Sequence, residues 1–437
     1  MALYHTPDEK DTHMSPLTHV SNATHVSSHT RVTKEDYDPA KKLISPEYHD
    51  YLVLFSEKET HILPPSRYVD YAILLTEGDK PPFGQMYSMS DSELKEVRKW
   101  IDENLSKSFI RASSSSDASP ICFVKKKDRS FCLCVDYQAF NNITIKDRTP
   151  LPRIEETLNQ IRGCKYFTHL DLRACFNQIH IKGGDKWKTT FRTCYGLFEF
   201  LVMHFGLTNA PATAQRFMND TLREYLDIFC VCYIDDILIY SRTLKEHKEQ
   251  VRKVLQKLKQ AGLFIKPEKC EFSITKTTFL DFIISEEGLE MDPEKVNTVL
   301  NWETPRSVKD IQCFLSFANF YHRFIHRYLH LCQPLFNLLQ KDTPFVWDTA
   351  CEQVFEALKR AFTSAPLLCY FDPELKTLVK TDASNYVTSG ILSQKHLENG
   401  KLILHPIAFI SEKMTPAKYN YGIGDKELLT IINMLGK

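Results

Sequence analysis

The 437-residue sequence is short of several things, and each shortage excludes something. No stretch approaches the roughly 20 apolar residues that a helix needs to span a bilayer, so no partner membrane is expected. The opening, MALYHTPDEK, is polar from its fourth residue and lacks the pattern of a secretory leader. The 13 cysteines are odd in number and scattered, with no C-x-x-C pair. That argues against a disulfide framework and a zinc site, and for a reducing intracellular setting, cytoplasm or nucleus. Charge of one sign is also missing: 55 Lys and Arg balance 55 Asp and Glu. Overall charge therefore says nothing about a polyanionic partner. No internal repeat appears at periods of about 20 to 50 residues.

What remains is ordinary globular material, 43% hydrophobic and 25% charged. Its length suggests roughly two to four domains. Residues 1–45 are rich in Ser, Thr, His and Asp without apolar periodicity, and read as a disordered tail. SDSELKEVRKWIDENL reads as a helix, with Ser90 and Ser92 offering caps and Leu94, Val97, Ile101 and Leu105 forming one face. ICFVKKKDRSFCLCVDY reads as two strands around a basic turn, either a solvated tip or a phosphate-gripping one. ATAQRFMNDTLREYL is helical, with Phe217, Leu222 and Leu226 facing one way. LKEHKEQVRKVLQKLKQAGL is a basic amphipathic helix with Gly262 at its C-cap. Its lysines form a solvated face or a nucleic-acid contact. The aromatics of residues 314–324 form core or, as the lesser alternative, a base-stacking platform.

The most unusual stretch is CVCYIDDILIY (230–240), two adjacent carboxylates inside an apolar hairpin. Asp is common in turns, so a polar tip explains the pair by itself. Asp171, however, ends another strand-like run, KYFTHLDL, 64 residues earlier. If the two runs are neighbours in a sheet, three carboxylates converge. Such a set suits a pair of Mg²⁺ ions about 3.5–4 Å apart and in-line phosphoryl transfer.

These motifs occur in order with PPFGQMYSMS, FVKKKD, LCVDY, YFTHLDLRACFNQI, FGLTNAPAT, YIDDILIYS, KPEKCEF, MDPEKV, TDAS and DKELL. From residue 63 to the C-terminus the chain resembles the reverse transcriptases of gypsy-type LTR retrotransposons. The resemblance implies an α+β fold: a right-hand polymerase of fingers, palm and thumb, then a truncated RNase H-like α/β domain. The implied division is tail 1–45, N-terminal segment and fingers 46–165, palm 166–291, helical thumb and connection 292–368, and RNase H-like 369–437.

It further implies an RNA-directed DNA polymerase using Mg²⁺ (or Mn²⁺), dNTPs, an RNA template and a DNA primer or RNA–DNA hybrid. By position, Asp171, Asp235 and Asp236 are the catalytic triad, with metal held also by the Leu172 carbonyl. Phe176 selects against a 2′-hydroxyl, Phe205 and Gly206 lie under the nucleotide, and Lys126 reaches its γ-phosphate. Lys269 protonates pyrophosphate, and Phe279, Leu280, Asp281 and Phe282 form the primer grip. Asp382 and Glu427 match the first two carboxylates of RNase H. That enzyme needs two more beyond Lys437, so no RNase H activity is expected of these residues alone.

The sequence departs from the family pattern at several places. Cys132 and Gln138 stand where Arg is usual, His204 where Pro is, Ala214 where Phe is, Asp281 where Gly is, and Gly424 where His is. A thiol at position 132 loses charge-assisted bonds to triphosphate, which reads as a degenerate copy. The alternatives are a catalytically impaired nucleic-acid-binding remnant and, more remotely, a metal-dependent nuclease.

Overall fold

The structure, a computed structural model, describes residues 38–125, 131–384, 386–398 and 400–435. Fifteen strands among them form four sheets. The first sheet is built from β1 (Ile110–Ala112), β2 (Ser119–Lys125) and β3 (Phe131–Val135). Later in the chain come β4 (Tyr166–Asp171), β5 (Phe191–Thr193), β6 (Gly196–Phe200), β7 (Cys230–Tyr233), β8 (Asp236–Ser241) and β9 (Glu271–Ile274). The five-stranded sheet runs β1-β6-β5-β2-β3, so it joins strands from either side of β4. The four-stranded sheet runs β7-β8-β4-β9, all antiparallel. Beyond it, β10 (Lys276–Phe279), β11 (Phe282–Ser285) and β12 (Leu289–Met291) form a small sheet. The last three, β13 (Thr377–Ala383), β14 (Val387–Glu398) and β15 (Lys401–Lys413), form the fourth.

The four-stranded sheet lies between two hydrophobic cores, which explains why β7 and β8, CVCY and DILIYS, are apolar at nearly every position. Side chains alternate along a strand. Leu170, Ile237, Ile239, Cys230 and Cys232 belong to one core, with the helices Ala210–Leu222 and Leu244–Ala261. Phe167, Val231, Leu238 and Tyr240 belong to the other, with Phe279 and the helical segment 293–363. Asp171 and Asp236 fall on this second face by the same alternation.

Several local expectations are met. Ser90 caps the helix Asp91–Ser106 in a reciprocal capping box with Glu93, and Val97 and Ile101 are buried. Gly262 ends its helix in the left-handed conformation, φ +63°. Phe314, Tyr321 and Phe324 are core.

Others are corrected. Residues 38–45, read as tail, hold the short helix Asp38–Leu43, and burial of Ala40 and Ile44 against the first core supplies the reason. Leu105 is exposed. The helix holding Phe217 ends at Leu222, and Leu226 instead bridges Cys230 at the mouth of the hairpin. The basic helix is only in part a bare solvated face: Lys245, Lys253 and Lys259 are exposed, whereas three other cations are paired within the chain. Lys248 pairs with Glu47 at 2.9 Å, Arg252 donates to the Glu47 carbonyl at 2.8 Å, and Lys257 pairs with Glu224 at 3.1 Å.

In the final sheet, β13 ends at Ala383 and β14 starts at Val387, the two pairing antiparallel. Pro406 sits at a register shift between β14 and β15, a place where a missing N–H is tolerated. The helix Ile423–Leu435 packs over this sheet, and Gly390 permits the approach: a Cβ there would stand 2.7 Å from Met434 Sδ.

The helix Leu244–Ala261 is tied to the sheet by one fully buried imidazole. His247 has Nε2 2.7 Å from Thr168 Oγ1 and Nδ1 2.7 Å from Ser241 Oγ. Thr168 Oγ1 also accepts the Ser273 N–H of β9, at 3.0 Å. Burial pushes His247 down to about 4. The native state therefore keeps it neutral while the unfolded chain takes up a proton below the ordinary value of 6.5. Stability is lost as pH falls from that value toward the folded one, by roughly 2 kcal/mol at about pH 5. His204, also pushed down to about 4 by burial, adds to the same window. Thermal melts of wild type and His247→Gln at about pH 7 and pH 5 should show the wild type losing more. Parallel losses would remove His247 as the source.

Candidate active site

Strand register delivers the carboxylates. β4 and β8 pair antiparallel with Asp171 directly opposite Asp236. β7 and β8 pair through Tyr233 and Asp236, leaving Ile234 and Asp235 as a two-residue tip. Ile234 adopts φ +56°, unusual for a β-branched residue. Gln215, fully buried on the helix beneath, holds it there. Its Oε1 accepts the Ile234 N–H at 2.8 Å, and its Nε2 donates to the Cys232 carbonyl at 3.0 Å. The Asp235 carbonyl accepts the Leu172 N–H at 2.9 Å, fastening the tip to the end of β4.

Each carboxylate has a distinct environment. Asp171 is buried, with Lys266 Nζ 2.5 Å from Oδ1 and Lys269 Nζ 3.2 Å from Oδ2. Asp236 lies 3.2 Å from His169 Nε2. Burial first, and then the negative charges of Asp236 and Asp171, raise the carboxyl of Asp235 above its ordinary range. A cation among the three would relieve that repulsion. As hard oxygen donors they suit Mg²⁺ or Mn²⁺ in kind. They are not gathered around one point, however. Among the described residues no three His, Cys, Asp or Glu side chains stand close enough to hold a metal ion. The lysines explain this for Asp171, since both of its oxygens already face an ammonium.

The other sequence-derived positions surround this centre. Phe176 is buried, and its ring lies 4.6 Å from that of Phe205, which is 62% exposed. Gly206 takes φ +92°, and its carbonyl accepts from Asn141 Nδ2 at 2.7 Å. Phe279 and Phe282 are buried and flank a second two-residue tip, in which Leu280 and Asp281 have φ of +50° and +65°. Such a tip favours Gly or Asn, so Asp281 is a tolerated substitute. Lys295 pairs with Asp281 at 3.0 Å. Phe279 also faces the carboxylate centre through His169, ring to ring at 6.0 Å.

Lys126 lies outside the described residues, and of Cys132 only the backbone pairing with Val124 is described. Asp382 is on β13, remote in sequence from the first three aspartates, and pairs with Arg327 at 3.0 Å. Glu427 is exposed on the helix that packs over that sheet. Sequence reasoning missed Gln215, His169 and Lys266. Lys266 had a faint signal, three residues before Lys269 in the same KPEK turn.

Residues 124–309 match the reverse transcriptase (RNA-dependent DNA polymerase) family, and residues 347–437 match the RNase H-like domain found in reverse transcriptase. Over 389 residues, 89% of this chain, the sequence is 36% identical to the transposon Tf2-3 and Tf2-7 polyproteins of Schizosaccharomyces pombe. The chain carries a reverse transcriptase region followed by an RNase H-like one, and over most of its length it is similar to retrotransposon polyproteins. It spans 29% of the length of those polyproteins. Two foamy viral protease-reverse transcriptase structures, at 23% identity, share the fold. The one in complex with RNA/DNA hybrid has a TM-score of 0.75 over 93% of this chain and 53% of that one. The dRH form in complex with ds DNA has 0.77 over 93% and 69%. The expected α+β class, a right-hand polymerase followed by an RNase H-like domain, is therefore correct. Among the described residues, no helix is long and apolar enough to cross a membrane.

Gln215 is the support on which the reverse transcriptase's Asp-bearing tip depends. Gln215→Ala leaves one buried donor and one buried acceptor unmatched, which should cost about 1–3 kcal/mol each at most. Urea unfolding should show the midpoint falling with an unchanged slope, and an unmoved midpoint would refute the support role.

Proposed function

We propose that this chain is an RNA-directed DNA polymerase that extends a primer 3′-hydroxyl with dNTPs. The observation that carries the reading is the placement of Asp171 opposite Asp236 across β4 and β8, with Asp235 at the adjoining tip. The four-stranded sheet would be the palm, and the five-stranded sheet the fingers. Asp171, Asp235 and Asp236, with the Leu172 carbonyl, would hold two Mg²⁺ or Mn²⁺ ions. Bound there, such ions acidify the primer hydroxyl and neutralise triphosphate charge.

The protein's own groups do the rest. Phe205 and Gly206 would lie under the incoming nucleotide. Phe176, backed by the core, would fill the space a 2′-hydroxyl needs. Lys269, its ammonium largely exposed, would donate a proton to the leaving pyrophosphate. Lys126, which follows β2 in the chain, would grip the γ-phosphate. Residues Phe279 to Phe282 would hold the primer end against the carboxylates. The partners would be an RNA template with a DNA primer or RNA–DNA hybrid, as the nucleic acids named with the foamy viral enzymes suggest. Asp382 and Glu427 would be the matching carboxylates of the RNase H-like domain.

One feature favours a second reading, a nucleic-acid-binding remnant with impaired catalysis. Cys132 stands where the family usually places an Arg on the triphosphate. Losing a charge-assisted bond of this kind costs about 1.5–3 kcal/mol.

Primer extension on poly(rA)/oligo(dT) with Mg²⁺ tests both readings. Extension that Asp235→Asn abolishes supports the polymerase. A silent wild type with an active Cys132→Arg variant shows an intact centre with a lost triphosphate grip. Binding of primed template without extension by either leaves the remnant. In an active background, Phe176→Val should raise rNTP incorporation relative to dNTP by about tenfold or more. Unchanged discrimination would withdraw the role of Phe176.

A further inference from the structure

Two ammonium groups flank Asp171, and they differ in how firmly they are held. Lys269 approaches Oδ2 on a side chain that is 61% exposed. Lys266 is 26% exposed and closer, 2.5 Å from Oδ1. Its backbone is pinned as well: its N–H donates to the Asp171 carbonyl at 2.9 Å, and Ile265 beside it bridges Leu172. Pro267, buried, opens the turn that follows. The ammonium of Lys266 is thus built into the end of β4, aimed at a carboxylate that has two like charges for neighbours.

An ammonium and a divalent cation compete for the same carboxylate lone pairs. We propose that Lys266 is a positioning residue that serves as an internal counter-cation. It holds the Asp171 carboxylate while no ion is bound, yields it when the ion arrives, and thereby lowers the affinity of the centre for metal. The arrangement trades metal affinity for stability of the ion-free fold. Without the ammonium, Asp171, Asp235 and Asp236 would face one another across β4 and the tip with less compensation. Lys266 also draws the Asp235 carboxyl down, against burial and the two other aspartates. The inference rests on the three aspartates being the metal ligands.

The test is Mn²⁺ binding to the full chain without nucleic acid, followed by the electron paramagnetic resonance signal of free Mn²⁺, with thermal melts alongside. Lys266→Met should bind Mn²⁺ about tenfold tighter than wild type or better, the scale of one hydrogen bond to a charged group. Its melting temperature should be lower without metal and rise further on adding it. Lys266→Arg, which keeps the charge, should restore the wild-type affinity, a result a merely structural role would not produce. Lys266→Gln keeps a polar tip and should shift affinity in the same direction as Met, so the test survives if Met does not fold. Equal or weaker binding by the Met and Gln variants, with binding lost in Asp171→Asn, overturns the counter-cation and leaves the metal site standing. Equal Mn²⁺ binding by wild type and Asp171→Asn overturns the metal-site reading and this inference with it.

Discussion

Like charges held on facing strands repel, and this repulsion is what the centre of the molecule is built to withstand. Asp171 and Asp236 occupy directly opposed positions of an antiparallel pair, where like charges destabilise a sheet. Asp235 adds a third carboxylate one residue away. Sequence that folds by burial alone would not choose this. The register persists because a one-residue slip of β4 or β8 would turn every side chain to the wrong face. With a core on each face of the sheet, such a slip would drive Leu170, Ile237 and Ile239 into the core shaped for Phe167, Leu238 and Tyr240, and the reverse, so that neither core would pack.

The same confinement explains the strained hairpin tips. Ile234 is β-branched and left-handed, a combination that costs about 1–2 kcal/mol. Gln215 below it and the Leu172–Asp235 bond beside it over-determine the conformation. Leu280 and Asp281 repeat the pattern at the next hairpin, fastened by the Tyr321 hydroxyl on the Asp281 carbonyl at 3.2 Å. The first tip carries Asp235 itself, and the second follows Phe279, whose ring meets that of His169 beside Asp236.

Polar groups inside this frame are matched to it. His247 stays neutral and joins helix to sheet through two hydroxyls. Lys266, Lys269 and His169 stand against the carboxylates. Arg327, from the helical segment that precedes the RNase H-like region, stands against Asp382 in the same way. A buried or crowded charge is tolerable when a partner is fixed nearby, and each partner here is supplied by a different segment of the chain.

Much was legible in the sequence because it is local or periodic. The capping serine at 90, the left-handed glycine at 262, the amphipathic helix 244–261 and the hairpin with aspartates at its tip all follow from spacing and residue type. So does the ordered set of motifs that identifies the family. The convergence of Asp171 on Asp236 was a conditional guess, since strand adjacency is not written in either strand. Tertiary structure alone decided the register, the sandwiching of the sheet between two cores, and the partners Gln215, His169 and Lys266. It also showed that some of the basic helix's charges are spent on residues such as Glu47 and Glu224. The physical reason is the same throughout. Backbone propensity and hydrophobic period act over a few residues, whereas the pairing of a charge with its counter-charge is settled only when segments up to about two hundred residues apart are packed together.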